Sequence, residues 1–302
     1  LPFRDLSRID GLDVLRDVPL APLTTFRIGG KARVFVRPMR LSALEAAMSY
    51  MQGMGLSFRI LGRGSNILID DRGVDIVLSL AGLVDVNGPM AFEDSGSILT
   101  AGAGCSLGML ISWAVHRGLS GLEGLCGIPG SLGGAVRMNA GTHLWDIGSV
   151  LHSVCFTGPG GSCWTPKEAL ELGYRSLTTP DGAVISAARL RLFPREQAGI
   201  LKDIRAVMKK RRMNQPLGKP SAGCIFKNPS GVPAGKLIDM CGLKGFTAGG
   251  AQVSPIHANF IVNNGNASFF DVTRLMEIVK DRVLSASGIE LMPEVAIWGM
   301  EQ

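Results

Sequence analysis

The chain has 302 residues, of which 46% are hydrophobic and 19% charged. That balance is globular and excludes a mainly disordered chain, and the length suits about two ordinary domains. Thirty-one Lys and Arg against 25 Asp and Glu leave a net charge of +6. The excess suits anionic ligands. The one dense basic run, Lys209-Lys210-Arg211-Arg212, reads equally as a solvated helix end, so no nucleic-acid partner is expected.

In chain order, Thr24–Gly30 is turn-rich and residues 33–36 read as a strand. Ser42-Ala43-Leu44-Glu45 has the pattern of a capping box. It predicts a helix with Leu44, Met48 and Met51 on one face, ended by Gly53 and Gly55. Short apolar runs at 58–61 and 67–69 flank Gly62-Arg63-Gly64-Ser65-Asn66, and residues 74–80 read as a buried strand. A strand at 98–101 leads through Gly102 and Gly104 to a helix capped by Ser106. Leu107, Leu110, Ile111, Ala114 and Val115 form its apolar face, and Gly118 ends it. A glycine-dense loop at 127–135 and Asn139-Ala140-Gly141 follow. Residues 150–157 and 162–164 read as a hairpin, Thr165-Pro166-Lys167-Glu168 as a second capping box, and 183–193 as a long strand. A helix at 197–212 leads to a third, α+β region with a helix at 271–285 and strands at 258–262 and 295–298. The expected domains are therefore 1–83, 84–196 and 197–302.

Six cysteines include no CxxC pair, and histidine occurs only at 116, 143, 152 and 257. No metal site is expected, and reduced thiols fit a cytoplasmic protein. The N-terminal segment carries charge throughout, unlike a signal peptide. Residues 95–115 are uncharged and long enough to span a bilayer, but glycines 96, 102, 104 and 108 interrupt them. They read as strand, turn and helix, so no membrane partner is expected.

Glycine-rich backbone lets N–H groups converge on an anion. Gly102-Ala103-Gly104 follows a strand and opens a helix, but its spacing departs from a dinucleotide fingerprint. Gly62–Asn66 reads either as a hairpin turn or as a phosphate loop. The 127–141 stretch carries too little side chain for a plain connector. Cys224 reads either as a buried structural thiol or as a reactive one in a turn near Lys227. Glu294 and Arg175 read as surface charges or as site residues.

Taken in order, Gly62-Arg63-Gly64-Ser65-Asn66, Gly127-Ile128-Pro129-Gly130-Ser131-Leu132-Gly133-Gly134-Ala135, Asn139-Ala140-Gly141, Gly173-Tyr174-Arg175-Ser176, Ala222–Pro229 and Pro293-Glu294-Val295 resemble the UDP-N-acetylenolpyruvoylglucosamine reductase family, from about Leu20 to Gly299. The resemblance implies an α+β fold: a two-part FAD-binding domain of the vanillyl-alcohol-oxidase type and a C-terminal α+β substrate domain. It implies noncovalent FAD, NADPH as reductant, and reduction of the enolpyruvyl ether of UDP-N-acetylglucosamine to UDP-N-acetylmuramate by a cytoplasmic monomer. It places FAD on Gly62, Arg63, Gly64, Ser65 and Asn66, and on Gly127, Ile128, Pro129, Gly130, Ser131, Gly133, Gly134, Ala135, Asn139 and Gly141. Arg175 corresponds to the substrate-carboxylate arginine, Glu294 to the catalytic glutamate, and Cys224 to a proton donor that many members supply as serine. Tyr174, Lys227 and Asn228 correspond to substrate contacts. With Tyr50 and Tyr174 the only tyrosines, the chain resembles the compact subgroup that lacks a covering tyrosine loop; Lys209–Arg212 is one candidate cover. An oxidase of the same flavin fold is the alternative. Against it, residues 58–104 hold no histidine for a covalent flavin link. A flavin-binding sensor would not need Arg175, Cys224 and Glu294 together.

Overall fold

The computed structural model describes residues 6–84, 97–141 and 145–299. The start of the uncharged stretch, Ser95 and Gly96, and His143 lie outside the described residues. Two compact units emerge. One holds residues 1–16, 34–63 and 76–209; the other holds 17–33, 64–75 and 210–302.

The first unit has two larger sheets, each covered by helix, besides the two-stranded ribbon of Leu172–Gly173 and Ser176–Leu177. In one, the strands Leu12–Pro19, Lys31–Pro38, Val74–Ser79 and Arg59–Leu61 lie in that order; residues 17–19, 31–33, 74 and 75 belong to the second unit. Helix α1, Leu41–Gly53, buries Leu44, Met48 and Met51 against Val36, Ile76 and Leu78. The expected capping box does not form. Helix α1 starts two residues earlier than that box requires, behind Arg40, with no side-chain cap. Glu45 instead accepts the Ser162 hydroxyl at 2.6 Å.

The second sheet orders Ser97–Gly102, Val184–Pro194, Leu151–Gly158 and Gly161–Pro166, all antiparallel. Helices α2, Leu107–His116, and α3, Leu132–Arg137, pack on it. Ser106 caps α2 as expected, accepting Met109 N–H at 3.1 Å. The hairpin is also present, but it consumes the second capping box: Thr165 pairs with Val154, leaving only a 3-10 turn at Lys167–Ala169. Helix α4, Gln197–Asn214, buries Ile200 in the same core and carries the basic run in its final turns.

The second unit is built on the strands Thr247–Ala248, Ala251–Val253, Phe260–Asn263 and Ser221–Cys224. Helices α5, Ala234–Met240, and α6, Phe269–Ser287, cover them. Helix α6 begins with a true capping box between Ser268 and Asp271 and ends at Gly288, whose φ of 70° is the usual left-handed stop. The turn-rich segment near Thr24 joins this core, where Phe26 and Ile28 are buried. Asn263 Nδ2 donates to Phe26 O at 3.1 Å, and Ser221 N to Thr25 O at 3.1 Å. No described helix is long and apolar enough to cross a membrane, and no described group of His, Cys, Asp and Glu is arranged to hold a metal.

Candidate active site

Gly62–Asn66 is not a hairpin. The strand before it, Arg59–Leu61, pairs in parallel with Val74–Ser79; the strand after it, Ile67–Ile69, pairs in parallel with Ala296–Trp298. Gly62 and Arg63 belong to the first unit and Gly64, Ser65 and Asn66 to the second. Gly64 is fixed by backbone geometry. Its φ is 59°, and a Cβ there would clash with the main chain at Leu23 O and Thr24 Cα. Among the described residues, the N–H groups of Gly64, Ser65 and Asn66 donate to no backbone acceptor. They are left available to an anion, as a phosphate loop requires.

In the first unit Gly62 meets the loop 127–135 directly. A Cβ on Gly62 would sit 2.6 Å from Ser131 Oγ, and one on Gly133 would sit 2.7 Å from Ala103 Cβ. Ser131 caps α3 through Gly134 N–H. Beside these loops lies a cleft of about 590 Å³. Arg63, Gly127, Ile128, Pro129 and Gly130 line it, opposite Ile111, Val115, Leu201 and Ile204 from α2 and α4. A concave, mostly apolar surface with a few polar groups suits a cofactor. The sequence reading missed the helix residues of this wall, because an apolar face seen in sequence looks the same whether it meets core or ligand.

Arg175 occupies a two-residue turn between the short strands Leu172–Gly173 and Ser176–Leu177. Its φ is 56°, a left-handed conformation that turns usually give to glycine or asparagine. For a long charged side chain this is strain, which accumulates at functional sites. The guanidinium reaches back to the loop after α3, where Nη1 donates to Gly141 O at 2.9 Å, and it faces the half-exposed Tyr174 ring. Asn139 joins the same two loops. Its Nδ2 donates to Asp146 Oδ2 and Gly173 O, both at 3.2 Å, and its Oδ1 accepts Gly148 N–H at 3.1 Å. Its carboxamide is thus engaged within the protein, and what Asn139 and Gly141 hold directly is the Arg175 turn.

In the second unit Cys224 ends its strand opposite Phe260. The next residue binds the C-terminal motif: Ile225 O accepts Glu294 N–H at 2.7 Å. Asn66 closes the group from the other side, with Nδ2 donating to Glu294 O at 3.1 Å and its own carbonyl accepting Ala296 N–H at 3.0 Å. The structure thus ties Glu294 both to Asn66 and, through Ile225, to the residue next to Cys224. Lys227 follows, its N–H donating to Met292 O at 2.9 Å. Asn228 is used differently, since its Oδ1 accepts Ala234 N–H at the start of α5. The six cysteines form no disulfide.

Two family models match this architecture. One, described as a FAD binding domain, covers residues 32–164; the other, described as UDP-N-acetylenolpyruvoylglucosamine reductase, C-terminal domain, covers 215–298. The UDP-N-acetylenolpyruvoylglucosamine reductase of Syntrophotalea carbinolica is 42% identical over 283 residues, 93% of each chain. The chain belongs to this reductase family. The Chlamydia pneumoniae relative is 41% identical over 287 residues, 94% of this chain and 91% of its own. The crystal structure of the Thermus caldophilus reductase superposes with a TM-score of 0.79 at 36% identity, covering 95% of this chain and 99% of the other. The FAD-binding domain in a member of this reductase family makes FAD the cofactor and the protein a flavoprotein oxidoreductase. The bare glycine backbone at 62 and 127–134 and the adjoining cleft fit that group.

Proposed function

We propose that this protein reduces the enolpyruvyl ether of UDP-N-acetylglucosamine to UDP-N-acetylmuramate with NADPH as the electron source, in the cytoplasm, as a step of peptidoglycan synthesis. The observation that carries the reading is the main-chain bond between Glu294 and Ile225, which joins the backbone of an acidic residue to the residue that follows a strand-end thiol. FAD, when bound, supplies the two-electron chemistry by taking up and giving up a hydride.

The chain's own residues do the rest. Hydride addition to the methylene carbon of the enol ether leaves negative charge on the neighbouring carbon and its carboxylate. Arg175 pairs with that carboxylate through two N–H groups and stabilises the developing charge. Cys224 gives its proton to the neighbouring carbon, so one hydride and one proton convert the vinyl group to a lactyl group. The thiolate then regains a proton from solvent. Glu294 acts beside it as an acid toward the same charge. Tyr174 and Lys227 contact the substrate. Gly62–Asn66 and the loop 127–135 hold the FAD phosphates and exclude bulk from around them.

Stopped-flow separation of the two half-reactions tests this. Arg175→Ala and Cys224→Ala should slow reoxidation of reduced flavin by the uridine substrate and leave reduction by NADPH nearly unchanged. Equal slowing of both halves would contradict the assignment.

A further inference from the structure

Asn259 is 2% exposed and lies just before the strand Phe260–Asn263. Its carbonyl accepts Ile225 N–H at 2.9 Å. Its side chain takes the next residue at both ends: Oδ1 accepts Phe226 N–H at 3.0 Å, and Nδ2 donates to Phe226 O at 2.8 Å. A carboxamide carries the same donor and acceptor as a peptide group. The side chain therefore pairs with Phe226 as one more residue of antiparallel strand would.

This matters because the ladder stops there. The strand Ser221–Cys224 ends at Cys224 with a register shift behind it. Beyond Cys224 the chain leaves the sheet, and Asn259 is what keeps it aligned. The two residues so held are those that take up the C-terminal motif. Ile225 O accepts Glu294 N–H, and Phe226 bridges Pro293. Asn259 is anchored in turn, its N–H donating to His257 Nδ1 at 3.2 Å.

We propose that Asn259 is a positioning residue for the reaction: its buried carboxamide fixes Phe226 beside the main-chain bond to Ile225, and so sets Cys224 and Glu294 in register with each other. What those two residues do rests on the function proposed above. No other side chain substitutes simply. Aspartate lacks the donor, and leucine satisfies neither main-chain group. Phe226 is 1% exposed, so water cannot take the place of the lost bonds.

The test uses the FAD-loaded Asn259→Asp variant, which keeps the shape and removes the donor. Reoxidation by the uridine substrate should slow about 10²-fold, the usual cost of a small misplacement at a reacting centre. Reduction by NADPH should stay within about twofold, and a solvent isotope effect should appear on reoxidation as proton transfer becomes limiting. The Phe226 amide should exchange faster with deuterium while that of Val262 does not change. Reoxidation at the wild-type rate, an equal fall in both half-reactions, or unchanged Phe226 exchange would overturn the proposal. If Asn259→Asp does not fold, His257→Phe decides: it removes only the anchor, and must reproduce the faster Phe226 exchange and a smaller selective loss of reoxidation. Cys224→Ala separates the two ideas. Normal reoxidation in Cys224→Ala defeats the proposed chemistry, and Phe226 exchange then still judges the positioning. Slow reoxidation there with a normal Asn259→Asp defeats the positioning alone.

Discussion

Gly62 offers a sharp test of the loop contact, because its φ is not left-handed and alanine is conformationally allowed there. The difficulty is space alone. A Cβ would sit 2.6 Å from Ser131 Oγ, and the next atom, Ser131 Cβ, is an ordinary 3.8 Å away. Ser131 is 2% exposed and its Oγ caps α3 through Gly134 N–H at 3.4 Å. The hydroxyl cannot turn away without surrendering that cap. Gly62→Ala should therefore cost about 1–3 kcal/mol as overpacking. Ser131→Ala should cost about 0.5–1 kcal/mol, low for a cap because the hydrogen bond is long. In the double variant the clash is gone, and the added methyl should cost only a few tenths of a kcal/mol beyond the lost cap. Urea unfolding of the four proteins should then give a coupling of about 1–2 kcal/mol. FAD titration should show weakened binding in Gly62→Ala, partly restored in the double variant. Additivity within about 0.5 kcal/mol would refute the contact.

Other expectations follow from single residues. At Arg175, glycine should be more stable than alanine by about 1 kcal/mol, since only the alanine still bears the left-handed strain, while both lose substrate-driven reoxidation; equal melting temperatures would contradict the strained turn. Cys224→Ser should retain reoxidation and resist thiol alkylation, whereas Cys224→Ala should slow that half-reaction by roughly 10²–10⁴-fold; a fully active alanine variant would make Cys224 a packing residue. Asp70 is buried and its carboxyl is held below the usual carboxylate range, first by the side-chain hydrogen bonds from Arg72, then by the Arg72 N–H and its charge. Its stabilisation is present above the ordinary carboxylate pKa and is lost as pH falls through the lowered one. Asp70→Asn should therefore destabilise the protein to urea at about pH 7 and do so progressively less as the pH falls below the ordinary carboxylate value of about 3.9; a pH-independent difference would show that ionisation is irrelevant.

Local signals in the sequence are legible where local bonds decide the structure. Ser106 with its apolar face at 107–115 gave α2, and the same periodicity gave α6. Two capping-box patterns misled because tertiary partners claimed their residues. Ser162 takes Glu45, and the Val154 strand takes Thr165. The real box, Ser268 with Asp271, carries aspartate where the common pattern has glutamate or glutamine. Parallel pairing of Ile67–Ile69 with Ala296–Trp298 has no local signature, so the loop at 62–66 stayed open between turn and phosphate cradle. The glycine loops were legible as bare backbone. The roles of Asn139 and Asn259 were not, because a buried carboxamide that clips two loops looks in sequence like any polar surface residue.

The proposed activity couples this flavoprotein to an enolpyruvyl uridine substrate. The direct measurement is anaerobic. The purified protein is reduced with one equivalent of NADPH, freed of residual nucleotide, and mixed with the enolpyruvyl ether of UDP-N-acetylglucosamine while flavin absorbance is followed. Full return of the oxidised flavin spectrum is expected, with one equivalent of UDP-N-acetylmuramate formed. Flavin that stays reduced with that substrate, yet reoxidises promptly in air, would contradict it and favour an oxidase.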